Sequence, residues 1–174
     1  MTIKTILTEP NKILRQVSKP VEKVGPEERQ LMDDMLETMY HANGIGLAAI
    51  QIGVAKRIIV MDLSKKEEEK KPMFFVNPVI KNKNQNFSTY EEGCLSVPNQ
   101  FAEIERPETC EVEYLDYDGK QKIIKAEGLL ATCIQHEMDH LEGILFIDYL
   151  SKLKKSMIIK KLSKQKKNSE ALVI

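Results

Sequence analysis

The chain has 174 residues, of which 42% are hydrophobic, and its 26 basic residues balance its 26 acidic ones. This length suits one folded unit, so we predict a single domain over residues 1–174. A balanced charge does not favour DNA as a partner, and no apolar run reaches the ~18 residues that a membrane-spanning helix needs. We therefore expect neither a DNA-binding protein nor a membrane protein.

The number and spacing of the cysteines indicate in which cellular compartment the protein works. Cys94, Cys110 and Cys133 are odd in number and irregular in spacing, so they do not indicate a disulfide framework. Free thiols of this kind are typical of the reducing cytosol. The first ten residues also lack the basic stretch and apolar core of a signal peptide. We therefore expect the protein to be cytoplasmic.

The first half of the chain begins with helices and continues with strands. A short helix is predicted over residues 11–17. Pro26 opens a longer helix to Tyr40, because apolar residues recur at helical spacing and proline is favoured in a first helical turn. Residues 57–63 and 73–80 are rich in Ile, Val and Phe, which predicts buried strands. The charged run between them, residues 65–71, is typical of a solvated loop.

The second half contains a hairpin and two helices. Asp118-Gly119 is a strong turn signal between predicted strands at residues 110–117 and 121–126. Helices follow at about 129–142 and 151–167. Strands followed by helices, without regular alternation, indicate an α+β fold. We expect antiparallel strands packed around the first of these helices, with the second as a C-terminal helix.

The most informative segment lies on the helix of residues 129–142 and reads His136-Glu137-Met138-Asp139-His140. Positions i and i+4 share one helix face, so both imidazoles can reach one metal ion, with Glu137 beside it. The alternative, two ordinary core histidines, would leave Glu137 buried without a partner. Apolar residues occupy most of the helix circumference, so we expect the helix to be buried. A buried helix that carries two histidines and a glutamate needs a compensating charge, which a metal ion supplies. The apolar residues are Leu129, Leu130, Cys133, Ile134, Met138 and Leu141.

A third ligand must come from elsewhere, and Cys94 is the candidate. It lies in Glu92-Gly93-Cys94-Leu95-Ser96, where the glycine lets a backbone approach closely and the thiolate is a strong ligand. An isolated cysteine is more often a small buried hydrophobe, and we keep that interpretation for Cys110 and Cys133. Cys133 could border the site, but a fourth protein ligand would close it.

Three segments together resemble the motifs of the peptide deformylase family, in the family's order and spacing. They are Gly44-Ile45-Gly46-Leu47-Ala48-Ala49-Ile50-Gln51, Glu92-Gly93-Cys94-Leu95-Ser96 and Gln135-His136-Glu137-Met138-Asp139-His140-Leu141-Glu142-Gly143. The similarity extends over almost the whole chain. It implies a metal-dependent hydrolase that removes the N-formyl group from the formyl-methionine of nascent polypeptides and releases formate.

The resemblance also implies catalytic roles. The family's metal ligands correspond to Cys94, His136 and His140, and a water would take the open fourth position. Glu137 would accept a proton from that water and deliver it to the departing amine. Two further groups would stabilise the charge that develops on the formyl oxygen, namely the side-chain amide of Gln51 and the backbone N–H of Leu95.

Substrate binding is implied in the same way. The family binds its N-formylmethionyl peptide as an extended strand, so backbone groups at Ile45, Gly46 and Gly93 should hydrogen-bond it. The methionine side chain would enter a pocket formed by Ile45, Tyr90, Leu129 and Cys133. For Leu129, core packing is an equally good interpretation.

Two departures from the family pattern lead to expectations. Asn43 stands where many relatives carry an acid that pairs with an arginine, so we expect Arg106 to lack that partner. Phe101 stands where some bacterial relatives place an arginine near the substrate entrance. Preference beyond the first substrate residue should therefore differ.

Ligand chemistry and the family resemblance predict different metal ions. A Cys–His–His set taken alone favours zinc. The resemblance implies Fe(2+) as the native ion, and we expect one divalent ion, with Zn(2+), Ni(2+) or Co(2+) in purified protein.

The C-terminal helix is rich in lysine and has no acid before Glu170. Clustered lysines suit phosphate groups, and the resemblance implies docking on the ribosome through this helix. Leu153 and Met157 should anchor it to the domain. The alternative is a solvated amphipathic helix.

Two rival functions share the histidine motif. A zinc endopeptidase usually draws its third ligand from downstream, yet no histidine follows His140. A structural zinc module would need four protein ligands, for which Cys133 is the candidate.

Overall fold

The computed structural model describes residues 2–171, with side chains as far as residue 165, so Lys166, Lys167 and the apolar ending at 172–174 lie outside the described side chains. The strands are β1 (Gly46–Ala48), β2 (Ile58–Met61), β3 (Met73–Lys83), β4 (Phe87–Cys94), β5 (Val97–Pro107), β6 (Thr109–Leu115) and β7 (Gln121–Glu127). The helices are α1 (Pro26–His41), α2 (Gly128–Leu141) and α3 (Lys152–Ala171), with 3-10 turns at Lys12–Arg15, Ala49–Ile52 and Phe146–Tyr149. Among the described residues, no helix is both long and apolar enough to cross a membrane.

One antiparallel sheet carries five of the strands in the order β1-β2-β3-β6-β7, and β4 and β5 form a separate antiparallel pair. Both faces of the larger sheet are covered, as the four consecutive buried residues of β2 require. Ile59 and Met61 belong to the cluster that contains α2, whereas Ile58 and Val60 belong to the cluster that contains α1. This division follows from the alternation of side chains along a strand. The expected α+β fold with antiparallel strands is confirmed.

Several predicted elements are confirmed. The helix that starts at Pro26 extends to His41, and the backbone N–H of its cap, Gly25, donates to Glu28 Oε2 at 3.0 Å. The hairpin turns at Gly119, whose φ of 82° is one that glycine adopts readily. The predicted helix at residues 11–17 is instead a single 3-10 turn, Lys12–Arg15.

The C-terminal helix packs through a different face from the predicted one. Leu153 is 71% exposed and Met157 is 52% exposed, so neither anchors the helix, and that prediction was wrong. Instead Ile158, Ile159 and Leu162 pack on the cluster formed with β5 and the 3-10 turn at Phe146–Tyr149. These three positions follow helical spacing and form their own apolar stripe.

Helix α2 is central but not apolar all round. Ile134, Met138 and Leu141 are buried, as predicted, in the cluster on the sheet. Leu129 is 46% exposed, so its assignment to the buried surface of the helix was wrong. It lies in the first turn of the helix, where the chain leaves the sheet, and it faces a cavity.

Candidate metal centre and active site

A cavity of about 490 Å³ lies between the chain around β1, the β4–β5 pair and α2. It is lined by every residue for which a site role was predicted except His140, which is fully buried. The lining residues among them are Ile45, Gly46, Gln51, Tyr90, Gly93, Cys94, Leu95, Leu129, Cys133, His136 and Glu137. The fold thus brings together three segments that are far apart in the sequence.

The predicted ligands lie close together. Helix α2 presents His136 and His140 one turn apart, and Cys94 ends strand β4 beside them. One ligand atom from each residue lies within 4.8 Å of the other two, and Cys94 Sγ is 3.4 Å from His140 Nε2. Sulfur and imidazole nitrogen are donors that divalent transition metals take. Cys133 is not part of this group in the described chain, so the geometry does not support a four-ligand structural zinc module.

A buried carboxylate orients one of the ligands. His136 Nδ1–H donates to Glu92 Oε1 at 2.8 Å, which leaves the Nε2 atom of the ring free to bind a metal. Arg106 holds Glu92 from the other side, with Nε donating at 2.7 Å and a terminal nitrogen at 2.9 Å. Burial alone would raise the pKa of Glu92, but the bonds from His136 and Arg106 lower it. Glu92 is therefore a carboxylate acceptor.

Arg106 has acidic partners although Asn43 stands in place of the acid that many relatives carry. Besides Glu92, it donates to Asp139 Oδ2 at 2.9 Å. Burial alone would lower the pKa of Arg106, but these two carboxylates raise it. Asn43 is not needed for this pairing, because β4 and α2 bring two other acids to the guanidinium group.

Glu137 is buried beside the ligand group. An added Cβ at Gly46 would lie 2.6 Å from Glu137 Oε1, so the glycine makes room for this side chain. Burial raises the pKa of Glu137 to about 7. Its Oε2 atom has no hydrogen-bond partner within the described chain. A buried, unpartnered carboxylate oxygen next to a thiol and two imidazoles fits a metal site that carries a water.

Gln51 is held with its amide nitrogen towards the ligands. Its Oε1 atom accepts from the backbone N–H of Ala48 at 2.9 Å. Its Nε2 atom donates to Ser96 Oγ at 3.0 Å and lies 3.6 Å from Cys94 Sγ. Because both ends of the amide are fixed, the NH₂ group stays at the metal site.

Apolar side chains surround the mouth of the cavity. Ile45, Leu129 and Phe101 are exposed large hydrophobic residues that line it. Phe101 lies against Gly93, where an added Cβ would be 2.6 Å from its ring. The exposure of Leu129 favours the pocket interpretation over core packing.

A profile described as polypeptide deformylase matches residues 3–156 of this chain. The chain belongs to the peptide deformylase family. It is 79% identical to the peptide deformylase of Pelagibacter ubique, over 97% of this chain and 98% of that protein. The Rhizobium meliloti peptide deformylase is 56% identical over 100% of both chains.

Solved peptide deformylases share the fold. A crystal structure from Ehrlichia chaffeensis matches with a TM-score of 0.92 and 44% identity, over 97% of this chain and 99% of that one. A second, in complex with actinonin, matches with a TM-score of 0.91 and 47% identity, over 95% and 98%. An Acinetobacter baumannii deformylase bound to Met-Ala-Ser matches with a TM-score of 0.80 and 33% identity, over 86% and 99%.

The expected activity is confirmed by this membership. The chain is a hydrolase that removes the N-formyl group from nascent peptides. The family and the cysteine–histidine group together support a divalent metal ion. The endopeptidase alternative loses its support, because it rested on the histidine motif alone and the chain that carries this motif is a member of the deformylase family.

Three buried or half-buried charged residues at the centre of the site were not assigned a role from the sequence, namely Glu92, Arg106 and Asp139. No local signal in the sequence identifies them, because the partners of each lie on other elements. In the structure, Ser88 and Tyr90 on β4 are less exposed than their neighbours, and Glu92 continues this alternation as a buried residue.

Proposed function

We propose that Cys94, His136 and His140 hold one divalent metal ion and that Glu137 transfers the protons of deformylation within a single catalytic domain. The observation that carries this proposal is the unpartnered, buried Oε2 atom of Glu137 beside three converging ligand atoms. When bound, a divalent ion supplies a Lewis acid that lowers the pKa of a water and polarises the formyl oxygen.

Glu137 acts first as a base and then as an acid. The attacking water adds its oxygen to the formyl carbon and gives a proton to the carboxylate. The C–N bond then breaks, Glu137 returns that proton to the amine nitrogen, and formic acid leaves and ionises to formate at neutral pH. A pKa of about 7, raised by burial, suits a group that must both accept and donate at neutral pH.

Besides the metal ion, two hydrogen-bond donors stabilise the negative charge that develops on the formyl oxygen. The amide nitrogen of Gln51 is already oriented by its bonds to Ala48 and Ser96. The backbone N–H of Leu95 lies in the turn that joins β4 to β5, at the wall of the cavity. Donors fixed before the reaction need no reorganisation during it.

The cavity takes an N-formylmethionyl peptide in an extended conformation. Backbone groups of Ile45, Gly46 and Gly93 pair with the peptide, in the manner of an added strand. The methionine side chain enters the part of the cavity lined by Tyr90, Leu129 and Cys133. The actinonin complex and the Met-Ala-Ser complex of the two relatives support a peptide-shaped ligand here.

The native ion is Fe(2+). Zinc binds nitrogen and sulfur sites more tightly than iron, so purified protein will collect Zn(2+), and Ni(2+) or Co(2+) where they are supplied. We expect protein reconstituted with Fe(2+) in the absence of oxygen to release formate from formyl-Met-Ala-Ser faster than the Zn(2+) form at equal occupancy. An equal or faster zinc enzyme would contradict the assignment of iron, and no formate release with any of these ions would contradict the proposed site.

The lysine-rich face of α3 docks on the ribosome, where nascent peptides emerge. The enzyme therefore acts in the cytoplasm, beside its substrate. Lys154, Lys161 and Lys164 are exposed, whereas Leu162 is buried in the core cluster beneath. Removing the helix would therefore expose apolar core, and substitution of the lysines is the better test. Glutamine keeps the side-chain stem and removes the charge.

The triple variant Lys154→Gln, Lys161→Gln, Lys164→Gln should co-sediment more weakly with ribosomes. Each lost phosphate contact should also reduce the slope of log affinity against log salt by roughly 0.9 or less. Turnover of formyl-Met-Ala-Ser should not change, because the helix face does not line the cavity.

The matched control removes the same charge elsewhere. Lys65, Lys66 and Lys71 are exposed lysines in the loop between β2 and β3, and their substitution with glutamine should leave ribosome binding intact. Equal loss in both triple variants would mean that net charge, not α3, determines binding. Unchanged ribosome binding in the α3 variant would mean that the helix is only a solvated surface element.

A further inference from the structure

A continuous series of polar contacts joins a surface tyrosine to a proposed metal ligand. Tyr149, in the 3-10 turn before α3, donates its hydroxyl to Asp139 Oδ2 at 2.7 Å. Arg106 donates to the same oxygen at 2.9 Å and to both oxygens of Glu92 at 2.7 and 2.9 Å. Glu92 accepts from His136 Nδ1 at 2.8 Å. Every step in this series is of hydrogen-bond length.

Tyr149 holds Arg106 in two ways. Its hydroxyl binds the carboxylate that the arginine also binds, and its ring centroid lies 5.0 Å from the guanidinium carbon, within cation–π range. Burial and the bond to Asp139 raise the pKa of Tyr149 to about 12, so its hydroxyl keeps its proton and donates. The tyrosine thus covers the outer side of a buried arginine.

The arrangement divides one arginine between two carboxylates. Asp139 lies on α2 between the two histidines, and Glu92 lies on β4, so each would draw the guanidinium group towards itself. The tyrosine hydroxyl supplies Asp139 with a second donor, which lets Arg106 keep two bonds to Glu92. Without that donor, Asp139 Oδ2 would depend on Arg106 alone.

We propose that Tyr149 is a positioning residue for the metal centre, acting through Asp139 and Arg106 on Glu92 and so on the orientation of His136. Tyr149 is not among the residues that line the cavity and is not part of the ligand group. Its effect is therefore on how the metal is held rather than on how the peptide binds. The inference rests on the proposed ligand set.

The test is Tyr149→Phe, which keeps the ring and removes the hydroxyl. Loss of an outer-shell partner typically changes metal affinity by 10–100-fold, and Tyr149 lies further out, so we expect metal release to a chelator to be about 3–10-fold faster. The kcat for formyl-Met-Ala-Ser should fall with KM unchanged. The visible absorption spectrum of the cobalt-substituted protein should also shift, because the geometry around His136 changes.

Two further variants separate positioning from general stability. Tyr117 also donates its hydroxyl to an aspartate, Asp33, at 3.1 Å, but neither residue lines the cavity, so Tyr117→Phe should leave metal release and spectrum unchanged. If Tyr149 acts through Asp139, the double variant of Tyr149→Phe with Asp139→Asn should release metal little faster than Asp139→Asn alone.

The outcomes distinguish this inference from the proposed site. The positioning role would be overturned if Tyr149→Phe protein released metal at the wild-type rate. It would also be overturned if the effects of Tyr149→Phe and Asp139→Asn on metal release were additive. Wild-type protein that binds no metal would instead contradict the ligand set.

Discussion

Glu137→Ala protein is expected to keep its metal and lose most of its deformylase activity. Glu137 is not in the ligand group of Cys94, His136 and His140, so the ion remains bound. The variant lacks the carboxylate that accepts and returns the proton, and general acid–base catalysis typically contributes 10²–10⁴-fold, so kcat should fall by about that factor. Formate release and metal content, measured on the same sample, check the prediction.

Glu137→Gln is the matched control for shape. Glutamine fills the space opposite Gly46 and can still hydrogen-bond, but it cannot carry the proton, so it should be as inactive as alanine. Recovery of activity in the glutamine variant would mean that Glu137 acts by hydrogen bonding or packing. Alanine protein with both metal and activity near wild type would remove Glu137 from the mechanism.

The elements predicted correctly are those whose signals are local. The helix at Pro26–His41 has a proline in its first turn and a regular apolar stripe. The hairpin of β6 and β7 has the turn signal Asp118-Gly119 between its two strands. Each signal lies within about ten residues and does not depend on the rest of the fold.

The elements that were missed depend on distant partners. Strands β4 and β5 alternate exposed residues with half-buried or buried ones and contain no continuous apolar run. Strand β1 has only three residues and is defined by its pairing with β2. The anchoring face of α3 was wrong for the same reason. Which apolar stripe packs depends on Val97 and Ile104, which lie far away in the sequence, and on Phe146 in the 3-10 turn before the helix.

The site shows the same division. His136 and His140 follow from helix geometry within one turn, and Cys94 was a reasonable third ligand only because of its motif. Glu92 and Arg106 carry charge that is buried only once β4 pairs with β5 and α2 packs beside them. A local pattern cannot express that dependence, so the residues that orient the ligands were the ones missed.

Cys94→Ser protein is expected to lose the sulfur-to-metal charge-transfer band that the cobalt-substituted wild type should display. Cys94 Sγ is the sulfur of the ligand group, 3.4 Å from His140 Nε2. A serine hydroxyl is a poorer donor and gives no thiolate band. Metal affinity should fall by more than the roughly 10–100-fold that loss of an outer-shell partner causes. Near-ultraviolet absorption and chelator competition measure the two effects.

Cys133→Ser is the matched control, because Cys133 lines the same cavity without belonging to the ligand group. Burial, with Glu137 nearby, raises the pKa of Cys133 to about 12, so its thiol stays protonated and is a poor ligand. The band should persist in this variant with unchanged intensity. A band that survives in Cys94→Ser protein and disappears in Cys133→Ser protein would transfer the ligand role to Cys133, one turn before His136 on α2.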